Sequence, residues 1–301
     1  MKNEIRVSTF GIRHELGPMF LGYRAPDGAY TMRQVNDGPV STTLVELPRR
    51  IRDGYGVSSV ELMEQNLHDA SPDDLIALRE ALESSGVKLG LLGLSRCAGD
   101  ADPARRAEDI SALEEFIDVA GRIGAQQVRV VLLPPPVVPS PEPADLPELV
   151  EALLRLARRA EAAGVRLMVE NDDAITADPA QLLPILDAVG SQVGFVLDTG
   201  NIDPVMTEVV AGFMEGREAK DVDAEETYRT IQSLLPRAEV VHVKTYGFKP
   251  DGTSKVYDLQ RVVTLLADAG FAGPVTIEYS GADGADADDA ITRTIEIVRA
   301  A

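Results

Sequence analysis

Amphipathic segments, glycines and short apolar runs alternate along the chain, and their order repeats. A stretch of helical period runs into a glycine, and a strand-like run of Val, Leu and Ile follows at once. The unit recurs at Asp53-Gly54-Tyr55-Gly56-Val57, Ser85-Gly86-Val87-Lys88-Leu89 and Ile123-Gly124-Ala125-Gln126-Gln127-Val128. It returns at Ala163-Gly164-Val165-Arg166-Leu167, Val189-Gly190-Ser191-Gln192-Val193 and Ala269-Gly270-Phe271-Ala272-Gly273. Glycine just past a helix is favoured because that position often takes a positive φ. A short apolar strand directly afterwards makes the αβ connection of a parallel sheet.

The apolar runs predict strands near 5–10, 58–62, 87–93, 127–133, 165–170, 193–198, 239–244 and 274–279. Most are continuous rather than alternating, as expected of strands covered on both faces. Helix starts are marked as well. Ser71-Pro72-Asp73-Asp74 and Asp178-Pro179 each set an N-cap residue before a proline at the first helical position. Eight strands alternating with helices predict an α/β fold closed as a single (β/α)8 TIM barrel, taking residues 1–301 as one domain. A doubly wound open sheet is the alternative, but no glycine-rich phosphate loop follows the first strand.

Two connections are too long to be turns. Residues 11–41 carry Phe20, Tyr23 and Tyr30 among glycines and prolines, and residues 199–225 carry Met206, Phe213 and Met214. Both follow strand C-termini, so both belong to the catalytic face of a barrel, either as substrate walls and lids or as packing for another subunit. A third excursion, Pro134-Pro135-Pro136 to Pro147, reads as a stiff connection into a helix.

Composition narrows the partners. The net charge of −20 disfavours nucleic acid, whose phosphates are met by clustered Lys and Arg. No apolar run reaches the ~20 residues of a membrane span. Met1-Lys2-Asn3-Glu4-Ile5-Arg6-Val7 enters a strand-like stretch without a signal peptide's apolar segment, so a cytoplasmic location is the expectation. One cysteine, Cys97, excludes an internal disulfide and any cysteine-rich metal site, and it reads as a small buried hydrophobe.

The chemistry lies where the last four strands end. These read Leu167-Met168-Val169-Glu170-Asn171, Phe195-Val196-Leu197-Asp198-Thr199-Gly200-Asn201, Val240-Val241-His242-Val243-Lys244 and Val275-Thr276-Ile277-Glu278-Tyr279. Each apolar run is interrupted near its carboxyl end by one side chain able to ligate a metal. A carboxylate flanked by Val, Leu and Ile is costly unless paired or metal-bound. Three at one mouth repel one another unless a cation sits among them. One imidazole with three carboxylates suits Mn²⁺, Mg²⁺, Co²⁺ or Zn²⁺ rather than a thiolate-preferring ion. Glu170, Asp198, His242 and Glu278 are therefore the candidate metal ligands.

These four strand ends resemble the sugar phosphate isomerase/epimerase family, xylose-isomerase-like barrels that include tagatose and psicose 3-epimerases and inosose dehydratase. The resemblance covers essentially the whole chain. It implies a divalent ion, commonly Mn²⁺, on the Glu, Asp, His and Glu. It further implies that Glu170 and Glu278, on opposite sides of a carbohydrate substrate, exchange protons with carbon. Dimers or tetramers are common in that family. Proton removal beside a carbonyl gives an enediolate, which a divalent cation stabilises and which a carboxylate on each face can deprotonate and reprotonate.

Two departures leave the reaction open. Family epimerases place a histidine three residues beyond the metal-binding aspartate, and here Asn201 stands there. An amide can hydrogen-bond a hydroxyl but cannot shuttle a proton. The arginine that follows the strand-seven histidine also has no match; Lys244 and Lys249 are the nearby cations. The chain has three histidines, His14, His68 and His242, too few for the trinuclear zinc site of the related DNA-repair endonucleases. His14, His68 and Glu64 follow early strands and are candidate substrate contacts or ordinary loop residues. Lys244, two residues beyond His242, points inward with it by strand alternation and would neutralise an enolate oxygen or pair with a ligand carboxylate. A metal-dependent sugar isomerase or epimerase is the first expectation. A lyase on the same scaffold is the second: a keto-inositol dehydratase, or a carbon-glycoside-cleaving enzyme acting on an oxidised sugar. A metal-containing sugar-binding or partner subunit without catalysis is the third.

Overall fold

The computed structural model describes residues 2–25, 28–36, 38–173, 175–281 and 284–301. The chain enters on β1 (Ile5–Ser8) and makes a 3-10 stretch from Thr9 to Glu15, followed by a hairpin of β2 (Met19–Arg24) and β3 (Tyr30–Asn36). Strand and helix then alternate: α1 (Leu47–Tyr55), β4 (Ser59–Met63), α2 (Pro72–Ser85), β5 (Lys88–Cys97), α3 (Pro103–Ile123), β6 (Gln127–Val131) and α4 (Leu146–Ala163). The second half continues with β7 (Arg166–Glu170), α5 (Pro179–Val189), β8 (Gly194–Asp198), α6 (Val205–Glu215) and α7 (Glu225–Leu234). It ends with β9 (Val240–Thr245), α8 (Leu259–Asp268), β10 (Val275–Tyr279) and α9 (Ala287–Ala300).

Eight strands close into one parallel barrel in the order β1-β10-β9-β8-β7-β6-β5-β4, and β2 and β3 form a separate antiparallel pair. All eight strands expected from the apolar runs are the barrel's strands. Val128, Val130, Val169, Val196, Leu197, Val241 and Ile277 are fully buried, which is the burial on both faces that a continuous apolar run implies. The local punctuation also forms as read. Ser71 accepts the Asp74 amide at 3.2 Å while the Asp74 carboxylate accepts the Ser71 amide at 2.9 Å, and Gly86 closes the helix with a φ of 71°. No helix among the described residues is long and apolar enough to cross a membrane.

The long connections carry structure of their own. The stretch after β1 is largely the 3-10 turn and the hairpin, and the stretch after β8 contains α6. The hairpin is anchored. Arg24 holds Asp109 of α3 through Nε at 2.9 Å and Nη2 at 2.7 Å, Arg96 reaches the same carboxylate at 2.7 Å, and the Arg96 guanidinium lies 3.7 Å over the Tyr30 ring. The predicted connection at 134–147 holds no helix or strand until α4 begins at Leu146.

Asp173 fixes the mouth beside β7. It is fully buried, and its two oxygens accept the amides of Leu132 (3.0 Å), Leu133 (3.1 Å), Ile175 (2.8 Å) and Thr176 (3.0 Å), tying the end of β6 to the turn after β7. An Asp173→Ala substitution leaves these buried donors without an acceptor. It should cost about 3 kcal/mol of stability. Urea denaturation checks this, and a loss below about 1 kcal/mol, the worth of one ordinary hydrogen bond, would remove Asp173 from this role.

Candidate functional site

Strand register sets the height of each polar side chain in the mouth. Asp198 and Thr276 are both level with His242, and Glu278 is level with Lys244 one layer above. Glu170 closes β7 in the same way that Asp198 closes β8. Side chains clamp the backbone at these positions. The Asn171 amide accepts the Asp198 N–H at 2.7 Å and donates to the Asp198 carbonyl at 2.9 Å. Thr199 donates to the His242 carbonyl at 3.0 Å, and the Tyr257 hydroxyl donates to the Lys244 carbonyl at 2.6 Å.

His242 stands at the centre. Its Nδ1 lies 3.0 Å from Glu170 Oε1, 3.8 Å from Glu278 Oε2 and 3.9 Å from Asp198 Oδ2, while Nε2 lies 2.9 Å from Glu61 Oε2. Lys244 Nζ bridges Asp198 Oδ2 at 2.8 Å and Glu278 Oε1 at 3.0 Å and donates to Asn201 Oδ1 at 2.9 Å. Asn201 in turn donates to Asp172 Oδ1 at 3.0 Å. Arg129 Nε is 2.8 Å from Glu170 Oε2.

Burial and like charge compete with these cations. Burial favours protonation of Glu170, yet Arg129, His242 and Lys244 together pull its pKa down to about 2. Asp198 goes the other way, to about 6, because burial and the charges of Glu278 and Glu170 outweigh Lys244. Asp172 rises to about 7 through burial and repulsion from Glu170. Burial opposes the charged form of His242, but Glu61 and Glu170 hold its pKa well above that of a free imidazole.

The donor set fits a divalent cation. Among the described residues, Glu170, Asp198 and His242 each present one ligand atom, all within 4.8 Å of one another. Asp198 Oδ2 and His242 Nδ1 are buried without a well-directed hydrogen bond, despite the short distances to charged neighbours. Such atoms are costly unless something else satisfies them. Two carboxylates, an imidazole and the adjacent Glu278 make a hard oxygen-rich set with one nitrogen, suited to Mn²⁺, Mg²⁺ or Zn²⁺.

The structure therefore brings Glu170, Asp198, His242, Glu278, Lys244 and Asn201 together. Glu278 sits beside the compact triplet because Lys244 holds one of its oxygens. His14 lines the same cavity. Glu64 and His68 are not among the described residues that line it, and His68 is exposed. Glu64 accepts the Ser95 amide at 3.0 Å, and the His68 ring packs 5.5 Å from that of Phe20. Sequence reasoning missed Glu61, Arg129 and Asp172. Arg129 left a readable signal, a cation inside the apolar run Val128-Arg129-Val130. Glu61 left only a lone acid in Val60-Glu61-Leu62.

Glu61 reaches His242 from β4, with β1 and β10 lying between the two strands. It is 2 % exposed, and its second oxygen accepts the Thr276 hydroxyl at 2.5 Å. Carboxylates behind a ligating histidine set its orientation and basicity. Glu61→Gln should therefore weaken Mn²⁺ binding by about 10–100-fold with the fold intact. Isothermal titration with Mn²⁺ checks this, and an unchanged affinity would detach Glu61 from the metal site.

A 550 Å³ cavity opens above these groups. Its floor is polar, with Arg129, Glu170, Asp172, Asn201, Lys244 and Glu278. Solved structures share this fold. The chain superposes on a D-allulose 3-epimerase from Methylomonas sp. with a TM-score of 0.65 at 18% identity, covering 99% of this chain and 97% of that one. The IOLI protein with a bound zinc atom matches with a TM-score of 0.63 at 16% identity, covering 99% and 98%. The 3-keto-D-glucoside 4-epimerase YcjR from E. coli matches with a TM-score of 0.62 at 13% identity, covering 100% of both chains. No curated protein matches by sequence comparison. The profile of the xylose isomerase-like TIM barrel family matches residues 53–301, and the chain belongs to that family.

Proposed function

We propose that this xylose isomerase-like TIM barrel is a divalent-metal-dependent sugar isomerase or epimerase that works by removing a proton next to a carbonyl. The observation that carries the reading is His242 Nδ1, buried without a well-directed hydrogen bond and within 3.0–3.9 Å of oxygens from three carboxylates on three other strands. Glu170 and Glu278 of that cluster also line the floor of a cavity large enough for a sugar. The superposable epimerases and the zinc-containing IOLI protein support the same class of chemistry.

The ligands in this reading are Glu170, Asp198, His242 and Glu278, and Mn²⁺ is the expected ion. A divalent cation there would supply stabilisation of the negative charge that develops on substrate oxygens. Glu170 and Glu278 belong to β7 and β10, with β8 and β9 between them, so they approach a substrate from different sides. One takes the proton from carbon, leaving a planar enediolate, and the other returns a proton to the opposite face, which inverts the centre. Lys244, 3.0 Å from Glu278, donates to an enolate oxygen, and the Asn201 amide holds a substrate hydroxyl between Asp172 and Lys244. His14 contacts the substrate. Glu64 and His68 support the wall through Ser95 and Phe20.

Incubation of the Mn²⁺-loaded protein with ketoses and keto-glycosides in D₂O tests the proton transfer. Solvent deuterium should enter at the carbon beside the carbonyl, and Glu278→Gln should lower the exchange rate by at least about 100-fold, the scale of a lost acid–base group. No deuterium uptake with any ketone would overturn the reading. A product lighter by the elements of water would move the activity to a dehydratase.

A further inference from the structure

Across the barrel from Glu278 stands a polar group that the proton-transfer step does not use. The closed ring of strands puts β6 four places from β10 in either direction, and β6 carries Arg129. This arginine is 5 % exposed and lines the cavity. β5 leaves room for it: a Cβ on Gly93 would lie 3.0 Å from both Arg129 Nη2 and Met63 Sδ. The guanidinium is incompletely used. Nη1 donates to the Leu94 carbonyl at 3.2 Å, whereas the hydrogen-bond contact of Nη2 among the described residues is the weak Met63 thioether at 4.0 Å. Nε faces Glu170 Oε2 at 2.8 Å without a well-directed hydrogen bond. An arginine does not lose its proton, so it cannot relieve burial by neutralisation as lysine or histidine can. Unspent buried donors are costly until an acceptor reaches them, and here the acceptor must come from the cavity.

Acceptors stand beside these donors. Gln65, in the turn after β4, donates through Nε2 to Ser95 Oγ at 2.5 Å, and its Oε1 is buried without a partner among the described residues. Arg129 and Gln65 thus reach neighbouring residues of β5, Leu94 and Ser95. Asp172 Oδ1 is taken by Asn201, and its Oδ2 lies 3.9 Å from Arg129 Nη1. Gln65, Ser95 and Asp172 line the same cavity as Arg129. A hydroxyl both accepts and donates, so it matches a guanidinium with acceptors at its side. The charge of Arg129 is already met by Glu170 and Asp172, which favours a neutral oxygen over an anionic one. We infer that Arg129, with Gln65 and Asp172, binds hydroxyl groups on the part of the substrate remote from its carbonyl, and that Arg129 is a specificity-determining residue. This rests on the proton-transfer reading for placing the carbonyl end beside Glu278.

Isothermal titration of the Mn²⁺-loaded protein with D-psicose, D-tagatose, D-fructose, D-fructose 6-phosphate and dihydroxyacetone tests this. Dihydroxyacetone offers the carbonyl end without the remote hydroxyls. Arg129→Lys keeps a cation beside Glu170 and removes the planar fork. It should weaken binding of the tightest free hexulose by at least about tenfold, the scale of a lost hydrogen bond to a charged group, while dihydroxyacetone and Mn²⁺ alone change by less than about threefold. Gln65→Leu removes an amide that contacts Ser95 rather than a metal ligand. It should weaken the hexulose by about threefold with dihydroxyacetone and Mn²⁺ unchanged, and it carries the test should Arg129→Lys not fold. Equal losses for hexulose and dihydroxyacetone, or a loss of Mn²⁺ affinity that accounts for them, would reduce Arg129 to a support for Glu170 and overturn the inference. Failure of every free hexulose to bind would do the same, as would D-fructose 6-phosphate binding at least about tenfold more tightly than D-fructose through Arg129. Deuterium uptake by dihydroxyacetone in D₂O reads the proton-transfer step separately. Uptake without Arg129-dependent discrimination sinks only the subsite, and discrimination without uptake sinks only the proton-transfer reading.

Discussion

Like charges forced together in a buried barrel mouth are the constraint from which the rest of this site follows. Glu61, Glu170, Asp198 and Glu278 converge within reach of one imidazole, and every one of them is at least nine-tenths buried. Carboxylates so placed either take up protons, as the raised pKa of Asp198 indicates, or gather cations. Arg129 answers Glu170, and Lys244 answers Asp198 and Glu278. Asp198 Oδ2 and both ring nitrogens of His242 still lack a well-directed hydrogen bond. Negative charge concentrated in this way around an imidazole fits a divalent ion.

The barrel makes that concentration mechanically affordable. Parallel strands place residues of equal register at equal height, so Asp198, His242 and Thr276 share one layer and Lys244 and Glu278 the next. Asn171, Asp173, Thr199 and Tyr257 then fix the backbone at the strand ends through hydrogen bonds that do not involve the ligand atoms. Positioning and chemistry are thus carried by different residues. The walls are a third, separable layer: the hairpin and α6 surround the cavity without supplying any ligand of the cluster.

Much of this was legible in the chain. Continuous apolar runs located all eight barrel strands, because burial on both faces leaves no polar alternation to confuse with a helix. The four strand-end residues Glu170, Asp198, His242 and Glu278 stood out because each interrupts such a run. Glu61 did not, since a single acid in Val60-Glu61-Leu62 looks like a polar strand position until barrel closure through β1 and β10 brings β4 within reach of His242. The hairpin at 19–36 was equally hidden within a stretch that reads as irregular. Its strands form no part of the barrel, and they are held by Arg24 and Arg96 on a distant helical aspartate, a pairing that no local pattern announces. Glu64 and His68 follow the strands that the sequence marks, and in the structure Glu64 accepts the Ser95 amide while the His68 ring packs against Phe20.

Crystals of the protein soaked in Mn²⁺, with diffraction recorded at the manganese absorption edge, test the central claim most directly. The account predicts one strong anomalous peak bounded by Glu170, Asp198 and His242 Nδ1, with Glu278 beside it. An absence of anomalous signal there at saturating Mn²⁺, with Lys244 still bridging Asp198 and Glu278, would contradict it.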